Sequence, residues 1–319
     1  MRGQIVEGKA YGRAAVRQYD GSCTAVPPCG RTAERFSPET QAAIEAALAA
    51  GGILLRRLNR ANALRFKGAK DPVTAVDVAA ERCIRTLLAR RFPRIGFLGE
   101  EGGSVAGTGG RWIVDPLDGT IAYITGLPLF SVCIALERQG RIEVGVLCLP
   151  SSGELFVAER GRGAFLNGRR IHVSPTARLR DAVIALWHDD TVWGNRRLRE
   201  RIAALALQVR NVRIFGAGFS LACVAVGRLD AYWEQSAKPW DIAAGALLVQ
   251  EAGGRVTAGT GHPFDVEHQT ILASNGRFHR RLIGLLNGRS AGGTRPAVQP
   301  SGRTAERTSP ASRAPSRRS

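Results

Sequence analysis

In the stretch R-W-I-V-D-P-L-D-G-T, residues 111–120, two carboxylates stand three residues apart, Asp115 and Asp118, with Gly119 and Thr120 directly after. Trp112, Ile113 and Val114 are large or β-branched and read as the end of a buried strand. Pro116 has no amide hydrogen for a ladder, so the strand is expected to break there. A turn at that point places both acids at the mouth of a sheet, with the Leu117 carbonyl between them. Gly119 lets backbone approach a ligand closely, and amides opening a helix after it can hold an anion. Hard oxygen ligands beside an anion cradle suggest a divalent metal plus phosphate. D-x-x-D-G is also an ordinary Asx-stabilised turn, so the rest of the chain has to decide.

Four more places end regular structure on acids: Asp77, Glu100-Glu101, Glu234 and Asp241. Singly, each has a plain explanation: an acid in a first helical turn suits the helix dipole, and one at a strand end is usually solvated. The elements that must position them are legible. Ser37-Pro38-Glu39 starts a helix to about Arg57, with a capping hydroxyl, proline at the first helical position and an acid in the first turn. Thr74 caps a second helix whose apolar face is Val76, Ala80, Ile84, Leu87 and Leu88, which makes Asp77 a first-turn carboxylate. That helix ends near Phe92-Pro93, and a short strand over 95–98 leads to Gly99-Glu100-Glu101. A flexible glycine-rich loop is expected over 102–110.

Strands then follow over 129–137, 142–149, 154–159 and 163–166, with Asn167-Gly168 as a hairpin signal. The first half is thus expected to be helices on a mostly antiparallel sheet. The second half alternates strands (182–186, 212–215, 229–233, 255–257, 270–273) with helices (196–208, 219–226, 239–251, 278–286), which reads as an α/β layer. Asp241 follows Lys238-Pro239-Trp240 and so lies in a helical first turn. The expected division is a disordered extension over 1–37, an α+β half over 38–187 carrying most of the acids and an α/β half over 188–287 carrying Asp241. A disordered Arg/Ser/Pro/Gly-rich tail over 288–319 completes it.

The chain has 319 residues and a net charge of +18, almost wholly from arginine, since lysine occurs only at positions 9, 67, 70 and 238. Such a balance can mean nucleic acid or anionic surfaces as partners. No basic stripe interleaves with aromatics, which are 6% of residues, so a compositional bias is favoured over nucleic-acid binding. The six cysteines form no C-x-x-C pair; Cys133, Cys148 and Cys223 read as small buried hydrophobes, and Cys23 and Cys29 are expected to be reduced. No apolar run of transmembrane length appears, and the N-terminus lacks the apolar block of a signal peptide, so no membrane association and a cytoplasmic location are expected. The histidines at 172, 188, 262, 268 and 279 fit no metal pattern and read as structural or exposed. The hexapeptide G-R-T-A-E-R at 30–35 recurs at 302–307, which is low-complexity repetition rather than a structural repeat.

Jointly, D-P-V-T-A-V-D (71–77), G-E-E (99–101), W-I-V-D-P-L-D-G-T (112–120) and K-P-W-D-I-A-A-G (238–245) resemble the inositol monophosphatase family, within the lithium-sensitive, magnesium-dependent phosphatases. The resemblance covers about 37–286. It implies an α/β fold (an α+β sandwich) layered αβαβα, with a mostly antiparallel first sheet and an α/β second half. The implied activity is Mg²⁺-dependent hydrolysis of inositol monophosphate by metal-activated water, on two or three metal ions. Glu100, Asp115 and the Leu117 carbonyl would hold one ion, Asp115, Asp118 and Asp241 a second, and Asp77 a looser third. Glu100 and Thr120, with Asp77, would be catalytic, orienting the water. Asp118, Gly119, Thr120, Glu234 and Asp241 would form the substrate-binding set, the Gly119 and Thr120 amides holding phosphate and Glu234 a polyol hydroxyl. The implied partner is a small phosphorylated polyol, and the implied assembly a homodimer.

The sequence departs from the family at Ile121-Ala122-Tyr123, where Thr-Asn-Phe is common, and over 215–220, on the substrate side. Histidinol phosphate, fructose-1,6-bisphosphate and 3′-phosphoadenosine 5′-phosphate therefore stand as alternative substrates for the same chemistry. A nucleic-acid-binding protein using its arginine-rich tails is the alternative of another class. A pseudo-phosphatase is disfavoured because every metal-ligand position is present.

Overall fold

The structure is a computed structural model that describes residues 36–58, 64–68, 71–187, 192 and 194–288. Its layers follow from alternation along the strands. The first sheet holds eight strands: β3 (Gly96–Gly99), β4 (Gly103–Val105), β5 (Arg111–Asp118), β6 (Ser131–Arg138), β7 (Arg141–Leu149), β8 (Glu154–Glu159), β9 (Gly163–Leu166) and β10 (Arg169–Arg170). Their order is β10-β9-β8-β7-β6-β5-β3-β4, and β3/β5 is the parallel pair among otherwise antiparallel neighbours. Trp112, Val114, Val132, Ile134 and Leu136 point to one face, where Ala43, Ala47 and Leu54 of helix α1 (Pro38–Arg57) and Val76, Ile84 and Leu88 of α2 (Ala75–Arg91) cover them. The intervening residues Ile113, Cys133 and Ala135 point to the other face, as a period of two requires.

That second face packs on α5 (Ala217–Ala225) and α6 (Pro239–Glu251), through Leu221, Val224, Ile242 and Leu247. Tyr232, Ile271 and Ala273 close the same core from the far side. They belong to a five-stranded sheet ordered β12-β11-β13-β15-β14, made of β11 (Val183–Trp187), β12 (Asn211–Ile214), β13 (Ala231–Glu234), β14 (Arg255–Thr257) and β15 (Ile271–Ser274). β12, β11 and β13 run parallel, and β15 and β14 are antiparallel to their neighbours. The alternate residues Ile184, Leu186, Trp233 and Leu272 bury against α4 (Arg196–Ala206) and α7 (His279–Leu286). The result is the expected five-layer αβαβα stack; with the short α3 (Thr120–Ile124) the described residues form seven α-helices.

Local signals set the element ends. Ser37 Oγ accepts from the Thr40 amide at 3.3 Å with Pro38 at the first position, and Thr74 caps α2. Several expectations need correction. The strand through 112–114 does not break at Pro116 but runs to Asp118 with a register shift against β6. It tolerates the proline because pairing with β3 has already ended at Val114. The glycine-rich loop over 102–110 contains β4, an exposed edge strand. Leu64–Gly68 and Asp71–Thr74 pair as the antiparallel strands β1 and β2, where no strand is expected from the sequence. The readings of the terminal extensions before 36 and after 288, of Cys23 and Cys29, and of His188 lie outside the described residues.

Candidate active site

The register shift is the first step in building the site. Asp115 lies opposite Cys133 and Asp118 opposite Ser131, so three steps on β5 match two on β6, the extra residue of a β-bulge. Asp115 Oδ1 accepts from the Leu117 amide at 2.9 Å, an Asx turn that folds the bulge and fixes the carboxylate. Gly119 then takes φ +86° as the N-cap of α3, and a Cβ there would lie 2.7 Å from the Leu129 carbonyl, so the turn requires glycine.

Neighbouring elements bring the remaining acids. The Glu100 amide donates to the Val114 carbonyl at 3.3 Å, continuing the β3/β5 pairing and setting Glu100 beside Asp115. Buried Glu81 on α2 accepts the Glu101 amide at 2.8 Å and also the Gly102 amide, which anchors that turn; burial holds its carboxyl above the usual range. Asp77 closes the capping box of α2 by accepting the Thr74 amide at 2.9 Å. Its other oxygen is 3.4 Å from Thr120 Oγ1, which also reaches the Leu117 carbonyl at 3.2 Å.

Asp118 belongs to three elements at once. Its Oδ2 accepts from Ser131 Oγ at 2.9 Å and from the Gly218 amide at 3.1 Å, with the Phe219 amide adding a further bond at the start of α5. A Cβ on Gly218 would sit 2.3 Å from Ser131 Oγ and 2.9 Å from the Asp118 carboxylate, so the glycine admits the helix to the acid. Asp241, half-buried in the first turn of α6, accepts the Lys238 amide at 2.7 Å. Glu234 ends β13 fully buried, and Tyr232 Oη donates to its Oε2 at 2.7 Å.

These groups form one electrostatic unit. Burial pushes the Asp115 carboxyl well above its usual range, with Glu100, Asp118 and Asp241 pushing it further. Asp241 is raised by burial, then by Glu234, Asp118 and Glu100. Asp118 is pushed up to about 6 by burial, with the Ser131 hydroxyl and the Gly218 and Phe219 amides working against the shift. Among the described residues, the largest opposing influences at these three acids are neutral donors. Burial drives the Cys133 thiol up as well, aided by Asp118 and Asp115, which leaves it an inert neighbour.

Glu100, Asp115, Asp118, Glu234 and Asp241 are thus brought together, and Asp77 joins them through Thr120. Among the described residues no three His, Cys, Asp or Glu side chains converge closely enough to hold a metal ion by themselves. The donor set is all oxygen, carboxylates and the Leu117 carbonyl. It therefore suits a hard divalent cation that keeps several waters and completes its shell with substrate. His172, His262 and His268 are exposed, and His279 is buried between Thr257 and Ser274, away from the acids. Glu81, Ser131 and Tyr232 escaped the sequence reading. Glu81 carries one local signal, an acid four residues after Asp77 and next to the apolar positions Ala80 and Ile84; Ser131 and Tyr232 show only once strand register is known.

A sequence model of the inositol monophosphatase family matches residues 36–290. The inositol-1-monophosphatase of Rhizobium meliloti is 41% identical over 245 residues, 75% of this chain and 92% of that protein. The Nus factor SuhB of Pseudomonas aeruginosa is 40% identical over 258 residues, 78% of this chain and 95% of that protein. The crystal structure of the extragenic suppressor protein suhB from Bartonella henselae superposes with a TM-score of 0.76 at 40% identity, covering 78% of this chain and 98% of the other.

Proposed function

The chain belongs to the inositol monophosphatase family and is a phosphomonoesterase, and from that premise we propose that it hydrolyses inositol monophosphate to inositol and phosphate with Mg²⁺ as cofactor. One observation carries the reading: Glu100 after β3, Asp115 and Asp118 of β5, and Asp241 of α6 arrive from three elements and act on one another electrostatically. Metal dependence, general in the family, fits a donor set made of carboxylates and a backbone carbonyl.

Glu100, Asp115 and the Leu117 carbonyl would hold one ion, Asp115, Asp118 and Asp241 another, with Asp77 serving a third more loosely. Bound there, magnesium would supply Lewis acidity and neutralise charge on the phosphoryl oxygens. Thr120 Oγ1, held near the Leu117 carbonyl and Asp77, would orient the attacking water together with Glu100. The Gly119 and Thr120 amides would hold phosphoryl oxygens at the bulge. Glu234, its direction set by the Tyr232 hydroxyl, would accept a hydrogen bond from a hydroxyl of the polyol. No cysteine, serine or histidine nucleophile enters.

The test is phosphate release from inositol-1-phosphate, histidinol phosphate, fructose-1,6-bisphosphate and 3′-phosphoadenosine 5′-phosphate, with and without Mg²⁺, beside Asp115→Asn. The expected result is Mg²⁺-dependent, Li⁺-sensitive turnover, fastest on inositol-1-phosphate and reduced about 10³-fold or more in the variant. Faster turnover of another ester would replace the substrate, and metal-independent turnover would overturn the mechanism.

A further inference from the structure

A second site of opposite charge lies at the other end of the five-stranded sheet. A cleft of about 910 Å³ is lined by Arg178, Arg180, Arg255, Arg277, Arg280 and Arg281, with no carboxylate among its lining residues. Strand register places it. Glu234 of the acid cluster pairs with Trp187 and Ile271, the end of β11 and the start of β15. The cleft instead gathers the segment before β11, the turn after β15 and Arg255 at the start of β14, which pairs with Ser274. The two sites are thus separated by at least the length of β13, roughly 10 Å of extended chain.

Within the cleft, Arg178 pairs with Asp181 at 2.6 Å and Arg281 donates to Gln208 at 3.0 Å. Among the described residues, Arg255, Arg277 and Arg280 have no ion-paired carboxylate, and Arg180 acts on Asp181 without a direct ion pair. Arg280 and Arg281 occupy the first turn of α7, which carries no acid there. Cations at a helix N-terminus are opposed by its dipole, so the positive charges add up instead of cancelling. The arginine-bearing segments are also tied together. Buried Asn275 donates to Ser174 Oγ at 3.0 Å and to the Thr176 carbonyl at 2.8 Å, and its own Oδ1 accepts the Arg277 amide at 3.1 Å. The backbone segments that carry these exposed arginines are therefore held beside one another by buried polar bonds.

We infer that this cleft binds a condensed phosphate, either free or as the polyphosphate arm of a nucleotide. Guanidinium forks match phosphoryl oxygens in pairs, and several forks in one small volume favour linked phosphoryl groups over a single one. The volume is that of a small-ligand site. Phe278, the aromatic side chain of the lining, is 6% exposed and offers no open face for stacking a base, which speaks against a nucleic-acid track.

The test is calorimetric titration of the full chain in EDTA, which keeps phosphate from entering the acid cluster with metal. The probes are inorganic tripolyphosphate, orthophosphate, ATP and an oligothymidylate at fixed ionic strength. Tripolyphosphate is expected to bind with one site per chain and at least ten-fold more tightly than orthophosphate. Arg277→Ala combined with Arg280→Ala is expected to weaken it at least ten-fold, with inositol-1-phosphate turnover within two-fold of wild type. ATP matching tripolyphosphate, or exceeding it, would support the inference and name a nucleotide as the source. Should the double variant fail to fold, Arg180→Ala, in the segment before β11, is expected to show at least a three-fold loss. The inference is overturned by unsaturable binding, by affinity unchanged in the folded variants, or by the oligonucleotide binding more tightly than tripolyphosphate.

Discussion

At the scale of single residues, the site depends on side chains that never need to meet substrate. Glu81 is the clearest. Its carboxylate is buried on α2 and accepts two amides of the turn that carries Glu100. Glu81→Gln keeps one acceptor oxygen and turns the other into a donor facing backbone amides. The expected outcome is a roughly ten-fold higher Mg²⁺ requirement, by analogy with other groups that orient metal ligands, and about 1–2 kcal/mol of lost stability. Phosphate release against Mg²⁺ concentration, alongside chemical denaturation, measures both. An unchanged Mg²⁺ curve with lowered stability would reduce Glu81 to a structural role. Glu81 also marks a limit of sequence reading, because a buried helical glutamate looks the same whether or not a distant turn leans on it.

At the scale of elements, α3 is five residues long and could not persist alone. Tyr123 holds it: the ring is buried against Phe130, and the hydroxyl donates to the Leu54 carbonyl at 2.8 Å. That carbonyl lies in the last turn of α1, where the Leu58 amide bonds to Leu55 instead. The tyrosine at this departure from Thr-Asn-Phe thus caps one helix while docking another. Tyr123→Phe is expected to cost about 1 kcal/mol in denaturant unfolding and to lower turnover modestly; no stability loss would show that water satisfies Leu54 as well. What was legible among the elements shares a cause. Ser37-Pro38, Thr74 and Asn167-Gly168 act within a few residues, so their signals survive in the sequence alone. The pairing of β1 with β2, the edge strand β4 and the continuation of β5 past Pro116 depend on pairing with other strands, which no local signal announces. For the same reason the acids of the candidate site were readable as motifs, whereas Ser131, Tyr232 and Gly218, which hold them, were not.

At the scale of the whole molecule, acid stability depends on a group outside the site. His279 is fully buried between Thr257 and Ser274, and burial, with nearby Arg255, lowers its pKa from 6.5 to about 4. The unfolded chain binds the proton more readily, so this contribution is complete above pH 6.5 and is lost as pH falls towards 4, amounting to about 3 kcal/mol. Urea unfolding across that window should show the decline, and His279→Asn should flatten it while being less stable at neutral pH. An equal slope in both proteins would assign the decline to other groups. The layered stack also gives the bulge in β5 a consequence best put as parity. In a regular strand, residues an odd number apart face opposite layers, and Asp115 and Asp118 are three apart. Ile113 faces α5 and α6, as do Cys133 and Ser131 opposite the two acids, while Leu117 has crossed to the side of Trp112 and Val114. The extra residue makes an odd separation even, and both carboxylates look into the same layer. Deleting Pro116 would bring the two acids to an even separation, so a regular strand would still face both carboxylates to that layer; what it would remove is the bulge and the Asx turn that fixes Asp115.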